Sequence, residues 1–265
     1  MNPVALLTPT CGRDPAAPVH PESLLALPPG EARHSLLTVH SILEARLPAG
    51  PLSIYEAGRG STSYLPLNIL RRAHVTVVGI DADQIRDNSY AQQPILGDIQ
   101  TYRFPSQRFD LIICYNAIEH VPDVEAMLTG FCGALKPNGL LLIGAPNPTS
   151  LSGVVTKYSP HRFHVWFYRT IRGEKKAGLP GEAPFPTYFH PLVTLANLEA
   201  FAISRGLQVI YRKKYESPRY PEMRRRRPML AALIDTAAKA MNAMLPGKID
   251  VRHGDYHVIL RKLAP

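Results

Sequence analysis

A turn reading Glu56-Ala57-Gly58-Arg59-Gly60-Ser61-Thr62 follows a short β-rich run, Leu52 to Tyr55, and precedes a helix-like segment, Thr62 to Arg72. Glycines at a strand-to-helix turn let the backbone approach a ligand, with helix amides facing it. The spacing separates two ligand classes. A pyrophosphate cradle needs G-x-G-x-x-G, and Ser63 stands where the third glycine should be. Glu56, two positions before Gly58, would repel phosphate but accept a hydrogen bond from an ammonium group. The turn therefore suits a ligand that carries an amino acid and a ribose and no phosphates.

Three further strand ends offer polar groups. The second reads Val78-Gly79-Ile80-Asp81, where a carboxylate can accept both hydroxyls of a ribose. The third reads Leu96-Gly97-Asp98-Ile99, where a short carboxylate can accept an adenine amino group. The fourth, Phe109 to Tyr115, runs into Asn116-Ala117-Ile118-Glu119-His120-Val121.

Those groups need elements to carry them to one edge. Apolar positions Leu36, Leu37, Val39, Leu43 and Leu47 recur at helical spacing until Pro48 and Gly50. Continuously apolar runs at 52–55, 75–80, 109–115 and 139–143 alternate with helix-like segments at 62–72 and 123–135. Such strands are buried on both faces, so the expected core is a doubly wound α/β, Rossmann-like parallel sheet. From Ala145 to about His190 the chain is punctuated by prolines and rich in His, Phe and Tyr, and residues 151–190 read as an inserted acceptor lid after the fifth strand. A helix from Leu192 to Arg205 and strands Leu207 to Lys214 and Tyr256 to Lys262 complete the expected domain, 31–265, behind a Pro-rich extension, 1–30. Residues 216–250, holding Arg224 to Arg227 and a helical pattern from Pro228 to Leu245, read as a basic amphipathic insertion before the last strand.

The ordered set E-A-G-R-G, G-I-D at 79–81, G-D-I at 97–99, N-A-I-E-H-V and Lys136-Pro137-Asn138-Gly139 resembles class I S-adenosylmethionine-dependent methyltransferases. It is most similar to the ubiquinone-biosynthesis-like (methyltransferase type 11) small-molecule branch. The resemblance spans about residues 50–145 and implies a seven-stranded sheet whose last strand is antiparallel. It also implies that Glu56, Gly58 and Gly60 hold the methionine part of S-adenosyl-L-methionine. By the same likeness Asp81 holds the ribose with Ala82 beside it, Asp98 and Ile99 hold the adenine, and Asn116 forms the floor beside the sulfonium. Glu119, His120 and His161 are the candidate bases for an acceptor O, N or C atom on a small-molecule or lipid-linked substrate. A non-catalytic, cofactor-binding regulator or scaffold on the same fold is the alternative from another class.

Composition bounds the rest. The 265 residues carry 45% hydrophobic and 19% charged side chains, which excludes a disordered chain. Proline, at 26 residues, is about twice the usual ~5%, which predicts many fixed turns. Cys11, Cys114 and Cys132 lack metal-ligand spacing, so neither a disulfide framework nor a metal site is expected. The first thirty residues show no signal peptide and no run reaches the ~18–20 apolar residues of a membrane span, so a cytoplasmic protein is expected. The net charge of +9 is confined to the second half: residues 1–150 hold 10 Lys+Arg against 13 Asp+Glu, and 151–265 hold 20 against 8. An anionic partner should therefore meet the second half, and Arg224 to Arg227 suggest peripheral contact with an anionic membrane. A nucleic-acid substrate, and with it an RNA methyltransferase, is disfavoured, because Tyr115-Asn116-Ala117-Ile118 stands where a base-methylating enzyme carries D/N-P-P-Y/F.

Overall fold

The structure, a computed structural model, describes residues 24–58, 62–80, 82–171, 173–179, 184–188, 190–244 and 250–264, with the backbone alone at 82 and 84. The Pro-rich 1–23, Arg59, Gly60 and Asp81 therefore lie outside the described residues.

The chain order is α1 (Gly30–Arg46), β1 (Leu52–Ala57), α2 (Leu67–Leu70), β2 (Ala73–Gly79), α3 (Ala82–Arg86), β3 (Gln93–Leu96), β4 (Phe109–Tyr115), α4 (Val124–Ala134) and β5 (Leu135–Pro146). It continues with α5 (Leu151–Tyr158), α6 (His161–Thr170), α7 (Leu195–Ser204), β6 (Leu207–Tyr215), α8 (Arg219–Arg226), α9 (Pro228–Met244) and β7 (Asp255–Lys262). The strands form one seven-stranded sheet in the order 3-2-1-4-5-7-6. Strands β1 to β5 pair in parallel, while β7 runs antiparallel to both β5 and β6. The expected doubly wound sheet with an antiparallel last strand is what the chain forms.

Alternation of side chains along the strands divides the core in two. On one face Tyr55, Ile112, Cys114, Ile143 and Val258 pack with α4 and α7. On the other, Ile54, Val75, Ile113, Leu142 and Ile259 pack with α1. Gly144 belongs to this second face in an unusual way. A Cβ there would lie 2.4 Å from the Tyr115 ring and 3.0 Å from the His257 ring, so only glycine lets both rings cross β5. Beneath those rings His257 bonds Ser35 at 2.7 Å and the Tyr215 hydroxyl at 3.0 Å.

One local expectation is corrected and another is extended. The helix expected over Thr62–Arg72 is only the single turn α2, because Pro66 lacks an N–H and forces Leu65 out of helical geometry. Arg224 to Arg227 do precede a helix start, that of α9 at Pro228, but Arg224 to Arg226 also form the last turn of α8, where cations complement that helix's dipole. In addition, 151–170, read as irregular, folds into α5 and α6, with Ser150 capping the first by accepting from Gly153 N at 3.0 Å.

Candidate cofactor and acceptor site

The carboxyl ends of β1 to β4 meet at one edge, since Ala57 pairs with both Val78 and Cys114, and Val78 with Ile95. Gly58 leaves β1 with φ +65° and donates its N–H to Val78 O at 2.9 Å. A Cβ at this position would come within 2.9 Å of Ala117 Cβ and 3.9 Å of Ile99 Cδ1. Glycine is thus needed both for its backbone sign and for the narrow space that Ala117 and Ile99 flank. That contact brings the turns after β1 and β4 together at the edge, where they would form the rim of a cradle for an adenosyl group. Ile80, almost fully exposed at the end of β2, offers a further apolar surface on the same edge.

Glu56 lies under this edge rather than at its surface. It is buried, and its Oε1 accepts from Ser63 Oγ at 2.6 Å and Tyr64 N at 3.2 Å, while Oε2 accepts from Tyr90 O–H at 2.6 Å. Glu56 therefore ties the turn after β1 to the segment before β3. Tyr64 in turn stacks on Tyr115, with ring centroids 3.4 Å apart. Half-buried Asp98 accepts from Gln100 N at 2.9 Å through Oδ1, and both of its oxygens accept from Gln100 Nε2 at 3.1 Å. Asn116 follows β4 with φ +50°, a left-handed conformation that Asn tolerates better than most residues. Its N–H donates to Gly144 O at 2.8 Å, and its side chain is exposed at the edge. Ala82 opens α3 by its backbone, next to the Asp81 position.

Glu119 and His120 follow at once, in a 3-10 turn Ile118–His120. Segment 184–188 crosses this turn: His120 Nδ1 donates to Pro186 O at 2.7 Å, Tyr188 N donates to Glu119 O at 2.9 Å, and Phe185 packs edge-on against the His120 ring. Glu119 is 5% exposed, its Oε1 is 3.7 Å from His120 Nε2, and its Oε2 has no hydrogen-bond partner among the described residues. Burial pushes its carboxyl up to about 8, with nearby Asp255 adding to the rise and Arg219 opposing it. Burial also lowers the His120 imidazole, against the opposing bond to Pro186. His120 is thus neutral near pH 7, with its proton on Nδ1 and its Nε2 lone pair available. His161 stands apart. It is the exposed first residue of α6, edge-on to His164, and no hydrogen bond, ion pair or ring contact among the described residues links it to Glu119 or His120.

Ser63, Tyr90, the 184–188 strap and Asp255 shape the site without a local sequence signal. Tyr90 lies 34 residues from Glu56, and the strap 66 from His120, so only the folded chain brings them together. Among the described residues no group of three or more His, Cys, Asp or Glu is placed to hold a metal.

Comparison with known proteins decides the family. Residues 44–210 match the methyltransferase domain family. The chain belongs to that family. An uncharacterised methyltransferase of Mycobacterium tuberculosis is 30% identical over 109 residues, 39% of this chain and 55% of that protein. A ubiquinone biosynthesis O-methyltransferase of Methylobacterium nodulans is 26% identical over 176 residues, 64% of this chain and 60% of the relative. The chain thus spans little more than half the length of such relatives. Among solved structures, an S-adenosylmethionine-dependent methyltransferase from Mesorhizobium loti superposes with a TM-score of 0.51 at 18% identity, covering 84% of this chain and 96% of that one. A phosphoethanolamine N-methyltransferase from Haemonchus contortus, solved with S-adenosyl-L-methionine, gives 0.52 at 17%, covering 89% of this chain and 54% of that one. These likenesses show the methyltransferase fold, and S-adenosyl-L-methionine is the cofactor that goes with it. The fold alone does not fix the chemistry, since a [4+2]-cyclase shares it at a TM-score of 0.51.

Proposed function

We propose that this methyltransferase passes the methyl group of S-adenosyl-L-methionine to an O, N or C atom of a small-molecule or lipid-linked acceptor. The observation that carries the reading is the left-handed Gly58 turn packed against Ala117, two residues from a buried carboxyl and three from an imidazole with a free lone pair. When bound, the cofactor supplies a methyl already activated on a sulfonium. The protein's work is then alignment and proton removal.

Gly58 and Ile99 would border the adenosyl group, Asp98 would accept from the adenine amine, and Asp81 would take the ribose hydroxyls. By position in the chain Gly60 would join the methionine end of the site and Ala82 the ribose end. Glu56 acts here as the post that fixes the cradle, with Asn116 as the floor facing the acceptor. His120 Nε2 would accept the acceptor's proton, with the Glu119 carboxyl 3.7 Å away. Orientation of this kind lowers a barrier by ~7–11 kcal/mol, and a positioned base adds about 10²–10⁴-fold. His161, exposed on α6, belongs with acceptor contact at the mouth rather than with proton removal. Residues 151–190 serve as the acceptor lid, supported by the strap bonds to Glu119 and His120.

Calorimetric titration with S-adenosylmethionine and its demethylated product tests the cradle. Gly58→Val and Asp98→Ala should each weaken binding at least tenfold, whereas His120→Gln should bind normally and lose turnover in an extract of candidate acceptors. Unchanged cofactor affinity in both cradle variants would overturn the reading.

A further inference from the structure

The sheet topology sends two insertions out at one edge. Strand β5 ends at Pro146, which pairs with Asp255 at the start of β7, and Asp255 pairs with Tyr215 at the end of β6. Helices α5 and α6, which follow β5, and the α8–α9 hairpin between β6 and β7 therefore both leave from the edge that carries Asn116. Arg219 of α8 donates to the Tyr168 hydroxyl of α6 at 3.5 Å, joining the two insertions.

These insertions hold most of the large apolar side chains that the protein leaves in solvent. Tyr158 is 78% exposed and Met229 87%, with Trp166, Tyr188, Leu233 and Met244 each more than half exposed. On α9 the positions Met229, Leu233, Thr236, Ala240 and Met244 fall on one helical face, and all five are exposed. The opposite face carries the buried Ala231 and Ala238 and the only acid of α9, Asp235, which accepts from Tyr220 O–H at 2.5 Å. The exposed face of α9 thus carries no carboxylate. Residues 219–244 hold six Lys and Arg against Glu222 and Asp235, a net charge of +4. Glu222 is shared between Arg225 at 3.2 Å and Arg226 at 2.5 Å, so one acid serves two cations.

We propose that the α8–α9 hairpin, with the exposed aromatics of α5 and α6 beside it, docks the protein on an anionic lipid surface. Exposed apolar side chains at one edge mark a partner, and their position beside cations selects a bilayer of negative charge. A second copy of this chain is disfavoured, because two hairpins of net +4 repel each other. Docking turns the site edge toward the lipid, so the inference rests on the acceptor reading above and narrows it to a lipid-linked acceptor.

The test is co-sedimentation of the full chain, without cofactor, with vesicles of phosphatidylcholine alone and vesicles containing about a quarter phosphatidylglycerol, at ~0.05 M and ~0.5 M salt. Binding to the anionic vesicles, reduced at high salt, is expected. Arg225→Gln with Arg227→Gln, and separately Met229→Ser with Leu233→Ser, should each weaken it by about tenfold or more. All four side chains are exposed, so the variants should keep the wild-type melting temperature. The inference is overturned by absence of binding, by equal binding to neutral vesicles, or by variants that bind like the wild type. Self-association abolished by Met229→Ser with Leu233→Ser, without vesicle binding, would assign the surface to a second copy. The cofactor titration above is read independently, so failure of the docking surface and failure of the methyltransferase reading are distinguishable.

Discussion

Glu119 combines near-complete burial with an oxygen, Oε2, that no described donor reaches. Folding pays for that arrangement whenever the carboxyl is ionised, at about 1.4 kcal/mol per unit of pKa shift. Replacing it by the neutral amide removes the charge and keeps the shape. Glu119→Gln should therefore melt higher than the wild type above pH 8 and at nearly the same temperature below pH 4.5. Near pH 7 the carboxyl already holds its proton in the folded chain, so the same variant should keep most of its turnover there and diverge from the wild type only above pH 8. Melting curves at the two pH extremes, read beside a turnover assay, check both halves. A wild-type stability equal to the variant's at high pH would show that Glu119 finds a partner when ionised. At this scale the sequence was informative about types but not about surroundings. The E-H pair could be singled out from its place after the fourth strand. Its burial, its strap and the Tyr90 hydroxyl on Glu56 depend on contacts 34 to 66 residues distant, which no local pattern encodes.

Among the elements, β5 shows how a site edge can be set by what a strand lacks. Gly144 clears the Tyr115 ring, which carries the Tyr64 stack and leads directly into the left-handed Asn116. Gly144→Ala should push that ring aside and cost about 1–3 kcal/mol of stability, as overpacking generally does. It should also weaken cofactor binding, since Tyr64 shares the Glu56 carboxylate with the turn after β1. Urea unfolding together with a cofactor titration checks this, and a variant that unfolds like the wild type would show that the rings have room to move. Strands were legible because buried parallel strands are continuously apolar. The segment Thr62–Arg72 misled because its apolar spacing looks helical while Pro66 forbids a helix through it. The helical pattern from Pro228 was legible and is α9, whereas α8 before it, RYPEMRRR, is too short and too charged to show an apolar period. The antiparallel last strand followed from the family resemblance, whereas the strand order, with β7 between β5 and β6, was in no residue pattern and comes from the folded chain.

Over the whole molecule, buried titratable groups on the two faces of the sheet set opposing pH dependences. His257, on the α1 face, is pushed down by burial from 6.5 to about 3. The unfolded chain then binds the extra proton between those values, so stability falls as pH drops from about 6.5 to about 3. Glu119, raised from 4.5 to about 8, does the reverse: the folded chain holds the extra proton, and stability falls as pH rises through that window. Between about pH 4.5 and 6.5 the two slopes cancel. Unfolding free energies from urea titrations should therefore show a flat maximum there and decline on both sides. His257→Gln should blunt the acid limb and Glu119→Gln the alkaline one. A maximum above pH 8 in the wild type would contradict the account.

The placement of β7 also has a consequence in time. Among the described residues strand β6 hydrogen-bonds to no strand except β7, yet the ribosome releases β6 first, then the α8–α9 hairpin, and only afterwards the strand that fastens both to the rest of the sheet. Until then β5 presents an open edge next to a nascent Lys- and Arg-rich strand with nothing to pair to. The parallel half of the sheet, β1 to β5, can close as soon as it emerges, while its antiparallel end must wait for Asp255–Lys262. A stalled chain halted before Asp255 would thus expose an unpaired β5 edge to any strand nearby, and that intermediate is where a chaperone would be expected to hold this protein.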